Sequence, residues 1–295
     1  MNILVTGADG QLGRMLAKAS SMSADEYIYT DVRPDAERGI LGLDITDSAA
    51  VESFLSAGNI DVIVNCASYT AVDKAEEDAE KADLINNMAV ASLAECARRH
   101  DAVLIHISSD YVFDGKASVP YTEESPLSPL SVYGKTKADS EKAVIESGCR
   151  HIIFRTSWLY CLEGKNFVKR ILEKSAEYPQ LKVIFDQVGT PTYAPDLAGM
   201  IFHIIENRML DKTGLYNYSN EGVCSWYDFA HEICLQSGHL CDVLPCHTDD
   251  YPRVAARPHY SVLDKTKVKS VFGIEIPHWK DSLAIFMNEM NNIDN

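Results

Sequence analysis

Residues 2–13 of the chain read NILVTGADGQLG. A short apolar run, which we predict to be a strand, leads directly into Gly7, Gly10 and Gly13, after which apolar residues recur at helical spacing. Glycines at such a turn let backbone N–H groups approach a pyrophosphate at the positive end of a helix. The spacing is Gly-x-x-Gly-x-x-Gly, and its position between a strand and a helix predicts a dinucleotide-binding site.

Strands alternate with helices through the first half of the chain. Further apolar strands are predicted at residues 27–29, 41–45, 60–65, 102–105 and 151–154, with helical periodicity at residues 86–99 and after residue 137. This alternation predicts an α/β fold with a doubly wound parallel sheet of the Rossmann type. A helix at residues 196–207 is apolar on too many sides for a surface position, so we expect it to pack under the sheet.

Charged residues near the ends of the first strands bear on the choice of dinucleotide. Asp31 follows the glycines by about twenty residues, where an acidic side chain accepts a hydrogen bond from a ribose hydroxyl, and this favours NADH. Arg14 and Arg33 lie close enough in sequence to tolerate a 2′-phosphate, so NADPH remains a candidate. Residues 66–70 follow the fourth strand, at the edge of the sheet where ligands of such folds bind.

A second informative stretch, residues 105–137, joins a strand to a helix through a loop that contains three prolines. Tyr133 and Lys137 are four residues apart, so a helix places them on one face. Because a neighbouring ammonium lowers the pKa of a phenol, we expect Tyr133 to act as a general acid near neutral pH. Ser109, at the end of the strand, is expected to hydrogen-bond the same substrate oxygen. Tyr-x-x-x-Lys pairs also occur by chance, and the dinucleotide motif favours the catalytic interpretation.

Composition excludes several classes of partner. The chain has 295 residues and is 46% hydrophobic, enough for one large domain or two unequal ones. Its formal net charge of −16 argues against nucleic-acid and membrane-surface partners, which select basic patches. An anionic ligand therefore needs local arginine or lysine residues.

Cysteine and histidine spacing does not predict a metal site. The eight cysteines include no Cys-x-x-Cys pair, and Cys241 and Cys246 with His239 and His247 fit no tetrahedral zinc pattern. The sequence starts without a signal-like segment and has no apolar run near the ~20 residues of a membrane span. We therefore predict a cytoplasmic protein. His106 lies inside a predicted strand and is expected to be a structural core histidine.

Seven segments together resemble the dTDP-4-dehydrorhamnose reductase family of extended short-chain dehydrogenases. They are residues 6–13 (TGADGQLG), 108–115 (SSDYVFDG), 133–137 (YGKTK), 155–160 (RTSWLY), 186–198 (DQVGTPTYAPDLA), 219–230 (SNEGVCSWYDFA) and 257–264 (RPHYSVLD). The first and third are shared across the superfamily, whereas 108–115, 155–160 and 219–230 are more specific. The resemblance covers nearly the whole chain.

The resemblance implies a role for each matching residue. It makes Tyr133 the proton donor, Lys137 the ribose anchor, and Ser109 a substitute for the usual threonine. The dinucleotide contacts that it implies, together with Tyr133 and Lys137, are Gly7, Gly10, Gln11, Leu12, Asp31, Asp44, Ile45, Ala67, Ser68 and Tyr69. The substrate contacts that it implies, together with Ser109, are Thr70, Val72, Asp110, Tyr111 and Trp158.

Further expectations concern Arg257, Ser131 and the neighbouring residues Arg14 and Met15. Arg257 is expected either to bind the diphosphate of the substrate or to form a surface ion pair. Ser131 stands where related enzymes often have asparagine, and we expect little effect. Some family members dimerise through Mg²⁺ held by glutamates, but this chain has Arg14 and Met15 where such a ligand would lie, so no metal is predicted.

The resemblance also implies a division of the chain. Residues 1–157 and 195–220 are expected to form the dinucleotide-binding domain, and residues 158–194 and 221–295 a smaller substrate-binding lobe. Residues 261–264 are expected to lie in a mostly irregular tail.

The expected activity is reduction of the C4 ketone of a dTDP-4-keto-6-deoxy sugar, namely dTDP-4-dehydro-L-rhamnose, with NADPH or NADH, by a monomer or homodimer. Two alternatives remain open. The first is a non-catalytic regulatory subunit, like the beta subunit of methionine adenosyltransferase. The second is a reductase or epimerase of another nucleotide sugar.

Overall fold

A computed structural model describes residues 1–293, and seven parallel strands form its central sheet. In chain order the strands are β1 (Asn2–Thr6), β2 (Glu26–Asp31), β3 (Leu41–Gly42), β4 (Val62–Asn65), β5 (Val103–Ser109), β6 (Arg150–Thr156), β7 (Leu159–Tyr160), β8 (Gln180–Ile184), β9 (Val188–Gly189), β10 (Thr192–Tyr193), β11 (Gly214–Asn217), β12 (Cys224–Ser225) and β13 (Asp242–Cys246). The central sheet has the order β11-β6-β5-β4-β1-β2-β3, which confirms the predicted doubly wound α/β fold.

Helices connect the strands and cover both faces of the sheet. They are α1 (Gln11–Ala19), α2 (Ser48–Gly58), α3 (Val72–Ala75), α4 (Ala79–Asp83), α5 (Ala89–Arg99), α6 (Val132–Ser147), α7 (Phe167–Glu177), α8 (Ala194–Glu206), α9 (Trp226–Ser237), α10 (Thr266–Phe272) and α11 (Trp279–Ile293). Within residues 1–293, no helix combines the length and apolarity that crossing a membrane requires.

Alternate residues of the central strands belong to two separate cores. In β4, Val62 and Val64 face a core shared with α1 and α8, whereas Ile63 faces a core shared with α2 and α5. Strands buried on both faces read as continuous apolar runs, which explains the sequence pattern. The apolar helix α8 contributes Leu197, Ile201 and further residues to the first core, so the prediction that it packs under the sheet is confirmed.

Polar residues define where several helices begin. Asp47 accepts hydrogen bonds from the backbone N–H groups of residues 49 and 50 at the start of α2. Ser131 accepts one from Gly134 at the start of α6, so a residue that departs from the family pattern serves as a helix cap. Ser225 and Asp228 form a reciprocal capping box on α9.

The prediction of a mostly irregular tail was wrong. Helices α10 and α11 follow residue 264, and they bury Phe272, Leu283 and Phe286 against the larger core. The strand β13 was also missed, because a proline within it weakened the strand pattern; it pairs in parallel with β8. The division into a dinucleotide-binding domain and a substrate-binding lobe stays a prediction.

A buried ion pair joins β6 of the central sheet to α6. Arg155, at the end of β6, donates from Nε and Nη2 to the two carboxylate oxygens of Glu141, over 2.9 and 2.7 Å. The Ser108 hydroxyl donates to the same carboxylate, because Ser108 of β5 is the register partner of Arg155. Arg155 also donates to the Glu123 carbonyl oxygen and lies 5.0 Å from the centre of the Phe113 ring.

We predict that Arg155→Met lowers the free energy of unfolding by about 3–5 kcal/mol, because it leaves the buried Glu141 carboxylate without its counter-charge. The double variant Glu141→Leu/Arg155→Met should recover most of this loss, since it removes both charges. The measurement is urea unfolding followed by circular dichroism.

The control is Arg150→Met on the same strand. Arg150 pairs with Asp101 on the surface, so its loss should cost less than about 1 kcal/mol. Equal losses for the two single variants would contradict the importance that we assign to the buried pair.

Candidate active site

The glycine turn after β1 is shaped by two close backbone contacts. Gly7 has a positive φ of 66°, and a Cβ on it would lie 2.5 Å from the backbone nitrogen of Ala67. A Cβ on Gly13 would lie 2.6 Å from the Gly7 carbonyl oxygen. A Cβ on Gly10 would meet only that same oxygen, at 3.2 Å, so the space in front of Gly10 is open. No side chain caps α1, and its first N–H groups therefore fit the pyrophosphate of a dinucleotide.

The other residues predicted to contact the dinucleotide lie at the same edge of the sheet. Asp31 ends β2, and its carboxylate accepts the backbone N–H groups of Asp9 (3.2 Å) and Arg33 (3.1 Å). Asp44 is exposed just beyond β3, whereas Leu12 and Ile45 are buried in the first and the second core, respectively. Gln11 accepts a hydrogen bond from Asn166. These positions are consistent with the predicted contacts.

Asn86 organises the segment after β4, and sequence reasoning missed it. Its Oδ1 accepts from Ser68 Oγ (2.9 Å) and from the Tyr69 backbone N–H (2.8 Å). Its Nδ2 donates to the Tyr69 carbonyl oxygen and to Thr136 Oγ1, each over 3.1 Å. Ser68 in turn accepts from Lys137 Nζ at 3.5 Å. The sequence contained one signal for Asn86, namely an amide side chain within a segment of helical periodicity. A polar side chain that is buried there requires hydrogen-bond partners.

Tyr133 and Lys137 lie one turn apart near the start of α6, as their spacing predicted. Lys137 is buried, and the Tyr133 ring packs edge-to-face on Tyr111 with ring centres 5.6 Å apart. Burial lowers the pKa of Lys137 to about 8, and this is opposed by the Glu141 carboxylate.

The expected lowering of the Tyr133 pKa by Lys137 was wrong for this structure. Burial raises the pKa of Tyr133 to about 12, and the Asp110 carboxylate adds to this, while the Ser109 hydroxyl opposes it. The Lys137 ammonium donates to Ser68 Oγ, and within residues 1–293 no hydrogen bond joins it to the Tyr133 hydroxyl. Tyr133 therefore keeps its proton at neutral pH, which is the form that a proton donor needs.

Ser109 and Asp110 form a hydrogen-bonded pair at the end of β5. Ser109 Oγ donates to Asp110 Oδ1 (3.0 Å) and accepts the Tyr111 backbone N–H (3.2 Å). A hydroxyl has one proton, so Ser109 must rotate before it donates to a substrate oxygen. Burial raises the pKa of Asp110 to about 6, with Ser261 and Ser109 opposing, and Oδ2 of Asp110 has no hydrogen-bond partner within residues 1–293.

His106 is a structural residue, as predicted. It is fully buried and exchanges hydrogen bonds with Asn65 Nδ2 (3.2 Å) and Ser140 Oγ (3.1 Å). Burial lowers the pKa of His106 well below its usual value, with the Lys137 ammonium contributing, so the imidazole is neutral.

Two tryptophans, Trp158 and Trp226, stack on each other. Trp158 has a positive φ of 47° and is half-buried. Its ring lies 3.5 Å from that of Trp226, with an angle of 12° between the planes. Trp226 was missed as a site residue, although it lies in the family-specific segment 219–230.

A cleft of about 460 Å³ lies between α7, β8 and the segment around residue 253. Trp226 and the aliphatic side chains of β8 line it, together with the basic residues Arg170, Lys174, Lys182, Arg253 and Arg257. A strongly acidic protein thus presents a local basic surface, which is what an anionic ligand needs.

Arg257 forms the ion pair that was one of the two expectations for it, and its binding to the diphosphate stays a prediction. It lines the cleft, and it donates to both carboxylate oxygens of Asp73 in α3, over 3.0 and 2.8 Å. Of the remaining predicted substrate contacts, Val72 begins α3 and Thr70 is exposed two residues before it. Across residues 1–293, no three or more His, Cys, Asp or Glu side chains are grouped to hold a metal ion.

We predict that Asn86→Ala lowers the free energy of unfolding by about 1–3 kcal/mol, since the Tyr69 carbonyl and its neighbours lose buried partners. The variant should also bind NADH more weakly. Asn87→Ala is the control, because the Asn87 side chain donates to Asp83, four residues earlier, and not to the segment after β4. Urea unfolding and NADH titration test both variants, and equal effects would count against the role given to Asn86.

We predict that Asp110→Asn stabilises the protein at pH 8 and not at pH 4. The pKa of Asp110 is about 6 in the folded protein, above the ordinary value near ~3.9, so its contribution to stability declines as the pH rises through this window. Removing the charge should therefore add about 1–3 kcal/mol to the free energy of unfolding at pH 8.

Asp114→Asn is the control, with the opposite sign. The Tyr121 hydroxyl and the Lys116 N–H hold the pKa of Asp114 below its usual value, so this variant should lose stability at neutral pH. The measurement is urea unfolding of both variants at pH 4 and pH 8. An equal change in the stability of Asp110→Asn at the two pH values would contradict the prediction.

The RmlD substrate binding domain family matches residues 1–292. The chain is 39% identical over 292 residues to the dTDP-4-dehydrorhamnose reductase of Aggregatibacter actinomycetemcomitans, covering 95% of this chain and 96% of that protein. It is 35% identical to the spore coat polysaccharide biosynthesis protein SpsK of Bacillus subtilis (strain 168), with 98% of each covered.

Two crystal structures of dTDP-4-dehydrorhamnose reductases superpose on the chain. The one from Clostridium acetobutylicum has a TM-score of 0.92 and 40% identity, covering 99% of this chain and 100% of that one. The one from Bacillus anthracis, in complex with NADP, has a TM-score of 0.88 and 33% identity, covering 98% and 99%. Sequence and fold agree over nearly the full length, and the chain belongs to the RmlD substrate binding domain family, an NAD(P)-dependent family of nucleotide-sugar reductases.

Proposed function

We propose that this protein reduces the C4 ketone of dTDP-4-dehydro-L-rhamnose to dTDP-L-rhamnose, with NADPH or NADH as reductant. The observation that carries the proposal is the meeting of Tyr133, Lys137 and Ser109 at the end of β5, beside the segment that follows β4. The relatives named above as dTDP-4-dehydrorhamnose reductases support the substrate.

Each residue of this group has a defined task in such a reduction. A bound reduced nicotinamide would supply the hydride. Tyr133 holds a proton in its phenol and gives it to the oxygen of the ketone as negative charge develops there. Ser109 then donates to the same oxygen after turning away from Asp110. Lys137, held by Ser68, contributes positive charge and anchors the ribose.

The dinucleotide is proposed to lie across the carboxyl ends of β1, β2 and β4. The glycine turn holds the pyrophosphate, and Asp31 accepts from the adenosine ribose. The segment from Ala67 to Tyr69, positioned by Asn86, borders the path of the dinucleotide towards Lys137.

The basic cleft is proposed to hold the nucleoside diphosphate. Arginine side chains suit phosphate because their planar guanidinium groups donate two parallel hydrogen bonds. Arg257 is the cation that joins this cleft to the catalytic residues, since Asp73 fixes it close to Tyr111. Trp158 and Asp110 are proposed to contact the sugar.

We propose that two parts of the chain bind the two ligands. Residues 1–157 and 195–220 would bind the dinucleotide, and residues 158–194 and 221–295 the sugar nucleotide, in a monomer or homodimer. A cytoplasmic location is supported by the eight cysteines, all of which are free thiols.

A second candidate is reduction of a different dTDP sugar. A relative from Streptomyces antibioticus at 36% identity is named as a probable dTDP-4,6-dihydroxy-2-methyloxan-3-one 4-ketoreductase, and SpsK is named for spore coat polysaccharide biosynthesis. Reductases in this family therefore differ in their sugars. The half-buried Tyr133, with the Ser109 hydroxyl next to it, argues against the alternative of a non-catalytic regulatory subunit.

We predict that the purified protein oxidises NADPH or NADH when dTDP-4-dehydro-L-rhamnose is generated in situ, and that Tyr133→Phe reduces kcat by at least about 10²-fold. The change removes one hydroxyl from a packed ring, so coenzyme binding should persist. The measurement is the absorbance decrease at 340 nm.

Lys135→Gln is the matched control, because Lys135 lies in the same turn of α6 but is exposed. It should retain full activity. Coenzyme binding without turnover of this sugar by the wild type would refute the substrate assignment and direct the search to other keto sugars.

A further inference from the structure

We propose that this protein prefers NADH to NADPH, and that Asp9 sets the preference by holding the two arginines that would otherwise pair with a 2′-phosphate. The inference rests on the coenzyme binding proposed above. It concerns Asp9, Arg14 and Arg38, which lie at the outer side of the glycine turn.

Asp9 lies directly beside the end of β2. Its backbone N–H donates to Asp31 Oδ2 over 3.2 Å, and the neighbouring Ala8 N–H donates to the Thr30 carbonyl oxygen over 3.0 Å. In folds of this type, the acidic residue at the end of the second strand receives the 2′-hydroxyl of the adenosine ribose. Asp9 is therefore adjacent to the position that distinguishes the two coenzymes.

Asp9 engages both of the nearby guanidinium groups. Arg14 donates from Nη2 to Asp9 Oδ1 over 2.7 Å and from Nε to the Asp9 carbonyl oxygen over 2.9 Å. Arg38 donates from Nη1 to the same Oδ1 over 2.5 Å and lies 3.6 Å from Asp35. Arg38 and Arg14 hold the pKa of Asp9 below its usual value, so its carboxylate is charged at neutral pH. Both cations are thus already paired with carboxylates.

The hydrogen-bond acceptor sites that remain at this position suit a hydroxyl and not a phosphate. Asp31 uses two acceptor sites for backbone N–H groups, and a carboxylate has about four, so it can still accept from a ribose hydroxyl. A 2′-phosphate would face this carboxylate with like charge. Arg33 is the remaining cation; it is exposed and forms no ion pair within residues 1–293, and an exposed pair with phosphate would contribute little.

The test measures binding of NADH and NADPH in the absence of any sugar, from the change in nicotinamide fluorescence. Wild type should bind NADH at least about tenfold more tightly, as expected for like charges brought together at a binding surface. Asp9→Asn should tighten NADPH binding by about tenfold, because it frees Arg14 and Arg38. NADH binding should change little, and the deficit of NADPH should shrink as salt is added.

Glu37→Gln is the matched control. It removes the same charge from the exposed segment that carries Arg38, and Glu37 forms no ion pair in the described part of the chain, so NADPH binding should not change. Two results would overturn the proposal: NADPH binding to wild type as tight as NADH, or equal gains from the two variants. If neither coenzyme binds, both the preference and the proposed function are overturned. If the two coenzymes bind equally well, only the preference is overturned.

Discussion

The bidentate ion pair between Glu141 and Arg155 is the interaction on which the arrangement of the proposed catalytic residues depends. Glu141 follows Lys137 by one turn of α6, and Arg155 ends β6, so the pair fixes the helix against the sheet at the height of the active site. Two opposite charges that are buried together stabilise a structure only when their geometry satisfies both. Here the Ser108 hydroxyl completes the set, and β5 is held in the same register.

That constraint explains how one helix serves both stability and chemistry. The Glu141 carboxylate opposes the fall in the pKa of Lys137 that burial causes, so the charge of the lysine depends on the pair behind it. Tyr133, at the outer end of the same helix, meets Asp110 and Ser109 instead. Along α6, Glu141 of the ion pair lies one turn after Lys137, and the proposed proton donor Tyr133 lies one turn before it.

The buried Asp110 carboxyl is unfavourable for the stability of the fold. It is buried at the end of a central strand, one of its oxygens has no partner within residues 1–293, and its pKa is raised to about 6. A buried acceptor without a partner is unfavourable, so its presence at the edge of the sheet where ligands bind indicates a functional requirement. Asn86, by contrast, uses all four hydrogen-bonding positions of its side-chain amide, and these bonds hold the segment after β4 in place.

The sequence by itself determined the alternation of strands and helices in the first half of the chain, the glycine turn, the spacing of Tyr133 and Lys137 and the structural role of His106, because strand burial and helix spacing are local properties. Only the tertiary structure decided the direction of the Tyr133 pKa, the commitment of the Ser109 proton to Asp110, and the stacking of Trp226 on Trp158. These depend on burial and on contacts between residues far apart in the chain, which no local pattern records. For the same reason the helices of the tail were missed, since their apolar faces are explained only by the core that they cover.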